Sequence, residues 1–99
     1  MILKPLKIRS KKIRQSARGE RCTLRIPGVC NGDPETVVLC HAPSRSKGLA
    51  TKSDDTWAAY GCSSCHMHAD IYGLDPVDWM RAIHETQSRL YAKELITVA

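Results

Sequence analysis

The five cysteines of this 99-residue chain are the side chains whose types and spacing most clearly point to chemistry. Cys62 and Cys65 form a CxxC pair, and Cys22 and Cys30 bracket a loop rich in turn residues. A CxxC turn brings two sulfurs to one point, and a helix start offers backbone N–H groups to thiolates. Two such pairs supply the four ligands of a tetrahedral zinc site. The sequence therefore predicts a structural zinc held by Cys22, Cys30, Cys62 and Cys65.

Other uses of the cysteines stay open at the level of sequence. The four thiols could be buried and free, or the CxxC pair could be a redox couple. The CxxC followed by His66 also matches the attachment motif of c-type haem, with His66 as the proximal ligand. Haem attachment of this kind requires an exported chain, and it leaves Cys22 and Cys30 without a role. Cys40 lies in an apolar stretch and is predicted to be a small core residue.

The length of the chain and its expected compartment favour a metal site over disulfides. A chain of 99 residues is expected to form one domain with a thin core that needs a covalent or metal staple. The N-terminus is charged and lacks the apolar segment of a secretory signal, and no stretch is apolar enough to cross a membrane. We therefore expect a cytoplasmic protein with no membrane partner. In that compartment, clustered cysteines are metal ligands more often than disulfides.

Positive charge is concentrated at the start of the chain. Residues 1–21 hold eight Lys or Arg and one acid, whereas the net charge of the whole chain is +5. Such a segment suits the phosphates of a nucleic acid, although a solvated tail has the same composition. We predict a basic arm over residues 1–15, a single domain over residues 16–99, and nucleic acid as the partner. The candidate nucleic-acid-binding residues are Lys4, Lys7, Arg9, Lys11, Lys12 and Arg14.

The pattern of apolar and turn residues indicates a small α+β fold. Ser10 and Asp75 are typical helix N-caps, and Gly73 is a typical helix end. The stretch before His41 is rich in β-branched residues, as buried strands are. The expected elements are a helix over 11–18, strands over 22–26 and 36–41, a helix over 62–72, and a C-terminal helix from about 75 to 95.

Histidines lie close to the cysteines along the chain. His66 and Asp70 are four residues apart, so on a helix they share a face and can chelate one divalent ion with open positions left over. His41 ends the strand that we expect to pack beside that helix. The pattern therefore combines a strand ending in histidine, a polar loop, a CxxCH motif and a second ligand four residues later.

These residues carry a family resemblance. The runs RIPGVCNG at 25–32, Cys40–His41, CSSCH at 62–66, and then Asp70 resemble the YbcO-like nuclease family of lambdoid prophages. More broadly they resemble the HNH, or ββα-metal, nucleases. The resemblance covers residues 16–73. It implies a zinc-stapled treble-clef core, here with an added C-terminal helix and a basic N-terminal arm.

The resemblance also implies roles for individual residues. By analogy, His41 is the general base that takes a proton from water, which a neutral imidazole can do near neutral pH. His66 and Asp70 would hold a catalytic divalent ion, magnesium or manganese. Two positions depart from the HNH pattern. Cys40 stands where an acidic or histidine metal ligand is common, and Asp55 is the nearest match to the middle asparagine.

Two functions follow from this reading. The leading one is an HNH-type, metal-dependent endonuclease that hydrolyses phosphodiester bonds of DNA and is encoded by a phage or prophage. In it, Arg45, Lys47 and Lys52 would join the basic arm in holding the phosphate backbone. The alternative is a non-catalytic, zinc-stabilised nucleic-acid-binding module of a phage recombination or replication assembly.

Overall fold

A computed structural model describes residues 8–43 and 54–97 of the chain. Its elements are α1 (Lys11–Gln15), a 3-10 helix (Pro34–Thr36), β1 (Val38–His41), β2 (Ala58–Gly61), α2 (Ser63–Tyr72) and α3 (Pro76–Ala92). The small α+β fold expected from the sequence is therefore confirmed. Within the described residues, no helix combines the length and apolar character that a bilayer crossing requires.

The two strands form the centre of the fold. β1 pairs with β2 in antiparallel register, with Val38 opposite Gly61 and His41 opposite Ala58. All four residues of β2 are buried. An isolated two-stranded ribbon is only marginally stable, so it needs helices on its faces. Here α3 packs against β2, α1 packs against β1, and α2 contacts both strands.

Part of the basic N-terminal segment packs into the core, although its charge predicts a solvent-exposed arm. The side-chain oxygen of Ser10 accepts a hydrogen bond from the N–H of Ile13 and caps α1, as predicted. Ile13 and Ala17 are buried, so the described part of the proposed arm packs through an apolar residue. The helix ends at Gln15, earlier than predicted, and the hydroxyl of Ser16 donates back to the carbonyl of Ile13 at 2.6 Å.

The strand predicted over residues 22–26 is wrong. Thr23 donates one backbone hydrogen bond to the Tyr60 carbonyl at 2.7 Å, but no ladder follows. Arg25 takes a left-handed conformation with φ of 44°, which a strand does not tolerate. The N–H groups of Arg25 and Ile26 point at the sulfurs of Cys22 and Cys65 instead of a strand partner. Residues 22–26 therefore form a loop around the sulfurs, and their alternating pattern does not indicate a strand.

The two long helices begin where the sequence predicts. Cys62 is the N-cap of α2, and Gly73, with φ of 79°, ends that helix. Asp75 caps α3 by accepting from the N–H of Val77 at 2.8 Å, with proline in the first helical turn. α3 ends at Ala92, a few residues before the predicted end, because Glu94 adopts a left-handed φ of 59°.

Thr86 shows how α3 is attached to the sheet. This threonine is fully buried, and its hydroxyl accepts from the N–H of Tyr60 at 2.9 Å while donating to the Ala82 carbonyl. The contact satisfies a β2 backbone donor that would otherwise be buried without a partner. It fixes the position of α3 across the back of β2.

We predict that Gly61→Ala destabilises the protein by about 1–3 kcal/mol, the usual cost of overpacking a core. A Cβ at this position would lie 2.7 Å from both Cys40 Sγ and Leu24 Cδ1. Urea denaturation measures the effect. Cys40→Ala removes one of the two clashes. Gly61→Ala should therefore cost less stability when it is introduced into Cys40→Ala than when it is introduced into the wild type. Equal stability of Gly61→Ala and wild type would contradict this packing.

Candidate functional site

The sulfurs of Cys22, Cys30, Cys62 and Cys65 converge on one point and lie within 4.8 Å of one another. Cys62 Sγ and Cys30 Sγ are 3.9 Å apart. A tetrahedral zinc with Zn–S bonds of about 2.3 Å requires sulfurs about 3.8 Å apart. All four cysteines are free of disulfide bonds. The four cysteines predicted as ligands are therefore close enough to hold one metal ion.

Backbone donors surround these sulfurs and favour the thiolate at Cys62, whereas burial raises the pKa of Cys30 and Cys65. The donors are the N–H groups of Arg25, Ile26, Asn31 and Cys65, at 3.4–3.5 Å from a sulfur. Burial alone would raise the pKa of Cys62, but hydrogen bonds from Asn31 and Cys65 lower it to about 7. Metal ligands must be thiolates, so donors that favour the thiolate fit a metal centre.

The fifth cysteine lies outside this cluster. Cys40 is buried, as predicted, and its thiol faces the Val38 and Gly61 carbonyls at 3.7 and 3.9 Å. Burial chiefly, and then the charges of Cys22 and Asp70, raise its pKa to about 12. Cys40 is thus a neutral core thiol.

His41 is held by a buried carboxylate. Its ring sits at the end of β1, with 28% of the side chain exposed, and Nε2 is 2.7 Å from Oδ1 of Asp55. The Asp55 side chain is fully buried, and its Oδ2 accepts from the N–H of Ser10 at 2.6 Å and from Arg14 Nη1 at 2.8 Å. Burial would raise the pKa of Asp55, but hydrogen bonds from His41, Ser10 and Arg14 lower it. Asp55 is therefore an ionised, saturated anchor for the imidazole.

His66 and Asp70 lie side by side on α2, with Nε2 and Oδ2 3.4 Å apart. Both side chains reach solvent, at 40% and 69% exposure. In residues 8–43 and 54–97, the four cysteines are the one place where three or more ligand atoms gather closely enough for a metal. His66 and Asp70 therefore offer two potential ligand atoms, a two-ligand position that no third described residue completes.

The candidate nucleic-acid contacts are only partly within the described residues. Lys4 and Lys7 lie outside them, as do the loop cations Arg45, Lys47 and Lys52. Of the remaining candidates, Arg14 pairs with Asp55. In contrast, Arg9, Lys11 and Lys12 make no ion pair with any described residue, so their charges are free to meet phosphates.

Sequence reasoning missed the partners of His41. Asp55 was singled out only as the nearest match to a motif asparagine, and the contacts from Ser10 and Arg14 were not foreseen. Both come from segments more than 40 residues away along the chain. One usable signal was the acidic pair Asp54–Asp55 directly before the apolar β2 segment, because acids seldom precede a buried strand without a partner.

Comparisons with known proteins identify the family of this chain. The profile of the family described as "Putative nuclease YbcO" matches residues 11–96. The chain belongs to the YbcO family. This YbcO-family chain is 49% identical over 59 residues to "Putative nuclease YbcO" of Escherichia coli (strain K12) and, equally, to "Putative nuclease ybcO" of Enterobacteria phage 82. The aligned segment spans 59% of this chain and 62% of each relative.

A solved structure has the same fold. It is titled "Structure of a putative bacteriophage protein from Escherichia coli str. K-12 substr. MG1655". The YbcO-family chain matches it with a TM-score of 0.63 and 35% sequence identity, over 84% of this chain and 100% of that one. The two named relatives are both called putative nucleases.

We predict one equivalent of zinc in the native protein, measured by native mass spectrometry. Cys62→Ser should abolish zinc binding and much of the cooperative thermal transition, because metal binding in so small a domain is a large share of its folding free energy. Cys40→Ser is the matched control, since Cys40 lies outside the cluster. It should retain full zinc content. A native protein without bound zinc would contradict the assignment.

Proposed function

We propose that this protein is a metal-dependent endonuclease of the HNH type that hydrolyses phosphodiester bonds of DNA, with His41 as the general base. The observation that carries the proposal is the setting of His41. Its ring is partly exposed at the end of β1, and a buried carboxylate holds Nε2 at 2.7 Å. The second ring nitrogen, Nδ1, makes no hydrogen bond to any described residue and is free to accept a proton.

The reaction then uses this free nitrogen. His41 Nδ1 takes a proton from a water molecule as the water oxygen attacks phosphorus, and the bond from phosphorus to the leaving sugar oxygen breaks. The imidazolium formed on His41 lies against the ionised carboxylate of Asp55, which stabilises its positive charge. The leaving oxygen takes up a proton from solvent, so the step begins with water and a diester and ends with a monoester and an alcohol.

The two metal positions have different roles in the proposal. His66 and Asp70 would hold a magnesium or manganese ion near the scissile phosphate. When bound, that ion neutralises the charge that develops on the phosphate and the leaving oxygen. The four cysteines would hold a zinc ion that staples the fold, giving the treble-clef arrangement that the resemblance implies. Closed four-thiolate sites are structural because no ligand position stays open for substrate.

Free cations mark where the DNA backbone would lie. Arg9, Lys11 and Lys12 are adjacent to Ser10, whose N–H contacts the same carboxylate as His41. The positive charge of Arg9 also helps to lower the pKa of Asp55, although it contributes less than the hydrogen bonds do. These cations therefore belong to the segment whose Ser10 contacts the same carboxylate as His41, and a nuclease needs cations near its base to hold phosphates. A relative encoded by a phage supports a phage or prophage origin.

One observation favours a second candidate function. Cys40 occupies the position before the base, where HNH nucleases commonly place a metal ligand, and its thiol is buried in the core. If two ligands hold the ion too weakly, the chain would be a non-catalytic, zinc-stabilised module that binds nucleic acid through the same cations.

We predict that His41→Ala lowers the rate of plasmid cleavage in Mg²⁺ or Mn²⁺ by about 10²–10⁴, the usual contribution of a positioned general base. Excess metal should not restore it. Asp70→Ala should weaken metal binding first, so high Mn²⁺ should recover part of its rate.

The matched control for this experiment is His84→Ala. His84 is an exposed histidine on α3, away from β1 in the chain, and its imidazole makes no hydrogen bond or ion pair with a described residue. It should cleave like the wild type. If His41→Ala also cleaves like the wild type, the assignment of the base fails. If the wild type cuts no DNA with any divalent ion, the binding module is favoured.

We predict that replacing Arg9, Lys11 and Lys12 by Gln flattens the dependence of DNA affinity on salt. Each lost phosphate contact reduces the slope of log K against log salt by about 0.9 for duplex DNA. Fluorescence anisotropy at several salt concentrations measures the slope. Arg21→Gln is the control, because Arg21 is also unpaired among the described residues but lines a cavity beside α3. Equal slopes for the two variants would contradict a DNA path along α1.

A further inference from the structure

The carboxylate of Asp55 distributes its three hydrogen bonds unevenly between its two oxygens. Oδ2 accepts from the N–H of Ser10 at 2.6 Å and from Arg14 Nη1 at 2.8 Å. Oδ1 contacts His41 Nε2 at 2.7 Å. The donors on Oδ2 cannot act as acceptors, since a backbone N–H and a guanidinium only donate. That side of the carboxylate is therefore fixed as an acceptor, whatever the state of the imidazole.

We infer that Asp55, oriented by Ser10 and Arg14, is a positioning residue that fixes the tautomer of His41. The inference deepens the proposed function and rests on it, because the tautomer matters only if His41 is the base. An ionised carboxylate is an acceptor only. A neutral His41 must therefore carry its hydrogen on Nε2 and leave the Nδ1 lone pair free for the water proton.

The contacts that orient Asp55 come from the segment that composition alone assigned to a phosphate-binding arm. Ser10 is the N-cap of α1, and Arg14 lies within that helix. The adjacent carboxylate, Asp54, accepts from the N–H of Ile8 at 2.7 Å, and the N–H of Asp55 donates to the Ile8 carbonyl at 2.8 Å. The start of the described chain is thus fastened to the loop that carries Asp55. α1 is therefore part of the structure that orients Asp55, and through it His41.

The other charged groups around Asp55 support this orientation. Arg14 is 39% exposed, so one guanidinium nitrogen is used on Asp55 while the rest of the group reaches solvent. Asp54 adds a like charge near Asp55, and Arg9 adds an opposite one. The balance keeps Asp55 ionised: burial would raise its pKa, and its three hydrogen bonds together with Arg9 lower it.

Asp55→Asn tests the inference. The amide oxygen of Asn should stay on the Oδ2 side, where two donors require an acceptor, so the amide N–H₂ turns toward His41. The ring must then accept at Nε2 and carry its hydrogen on Nδ1, which removes the lone pair that acts as base. ¹⁵N chemical shifts of the His41 ring, recorded at about pH 8.5 where an ordinary imidazole is neutral, report which nitrogen is protonated.

The expected result is a ring protonated on Nε2 in the wild type and on Nδ1 in Asp55→Asn. Asp54→Asn is the matched control. It removes the same charge from the neighbouring position, but Asp54 contacts Ile8 and Thr56 and not His41. It should keep the wild-type tautomer. In cleavage assays Asp55→Asn should lose about 10²–10⁴ in rate, as His41→Ala does, with zinc content unchanged.

The wild-type spectrum is a test in itself if Asp55→Asn does not fold. A wild-type ring protonated on Nδ1, or an Asp55→Asn ring still protonated on Nε2, would overturn the inference. The NMR measurement is independent of nuclease activity. If the tautomers change as expected but the wild type cleaves no DNA, the positioning role stands and the proposed function fails.

Discussion

The four cysteine sulfurs must share one point, and the rest of the fold is arranged around that requirement. Their convergence holds the loop of residues 22–31 against the start of α2. The side chain of Asn31 reinforces the junction by donating to the hydroxyls of Ser63 and Ser64 at 3.1 and 3.2 Å. The exposed pair of His66 and Asp70 lies on the helix whose N-terminus is held there. A metal ion held by these four cysteines would supply the staple that so short a chain needs in place of a larger core.

A second constraint is electrostatic. A fully buried carboxylate is costly unless it is paired and hydrogen-bonded, and Asp55 meets that condition only by drawing in both the N-cap of α1 and the end of β1. The same contacts that make its burial tolerable hold the His41 ring. The burial of Asp55 and the orientation of the His41 ring therefore depend on the same contacts.

Local patterns in the sequence were sufficient to predict the helices that have strong cap signals and the grouping of the four cysteines. Ser10, Cys62 and Asp75 act within a few residues of the helices that they cap, so their effect can be read from spacing. The strand predicted at 22–26 does not form because the backbone N–H groups of Arg25 and Ile26 donate to cysteine sulfurs. The alternation of apolar residues carries no information about such contacts. The Asp55 network was missed for the same reason. Its three partners come from positions 14 to 45 residues away, and only the folded chain brings them together.

The central claim is that the base on β1 and the two-ligand position on α2 serve one reaction centre. Adding Mn²⁺ to the zinc-loaded protein and recording paramagnetic relaxation of the histidine rings by NMR tests it most directly, because Mn²⁺ prefers oxygen and nitrogen ligands over thiolates. The account predicts the strongest relaxation at His66, a comparably strong effect at His41, and a much weaker one at His84 on α3. An effect at His41 no greater than that at His84, or no Mn²⁺ effect at His66, would contradict it.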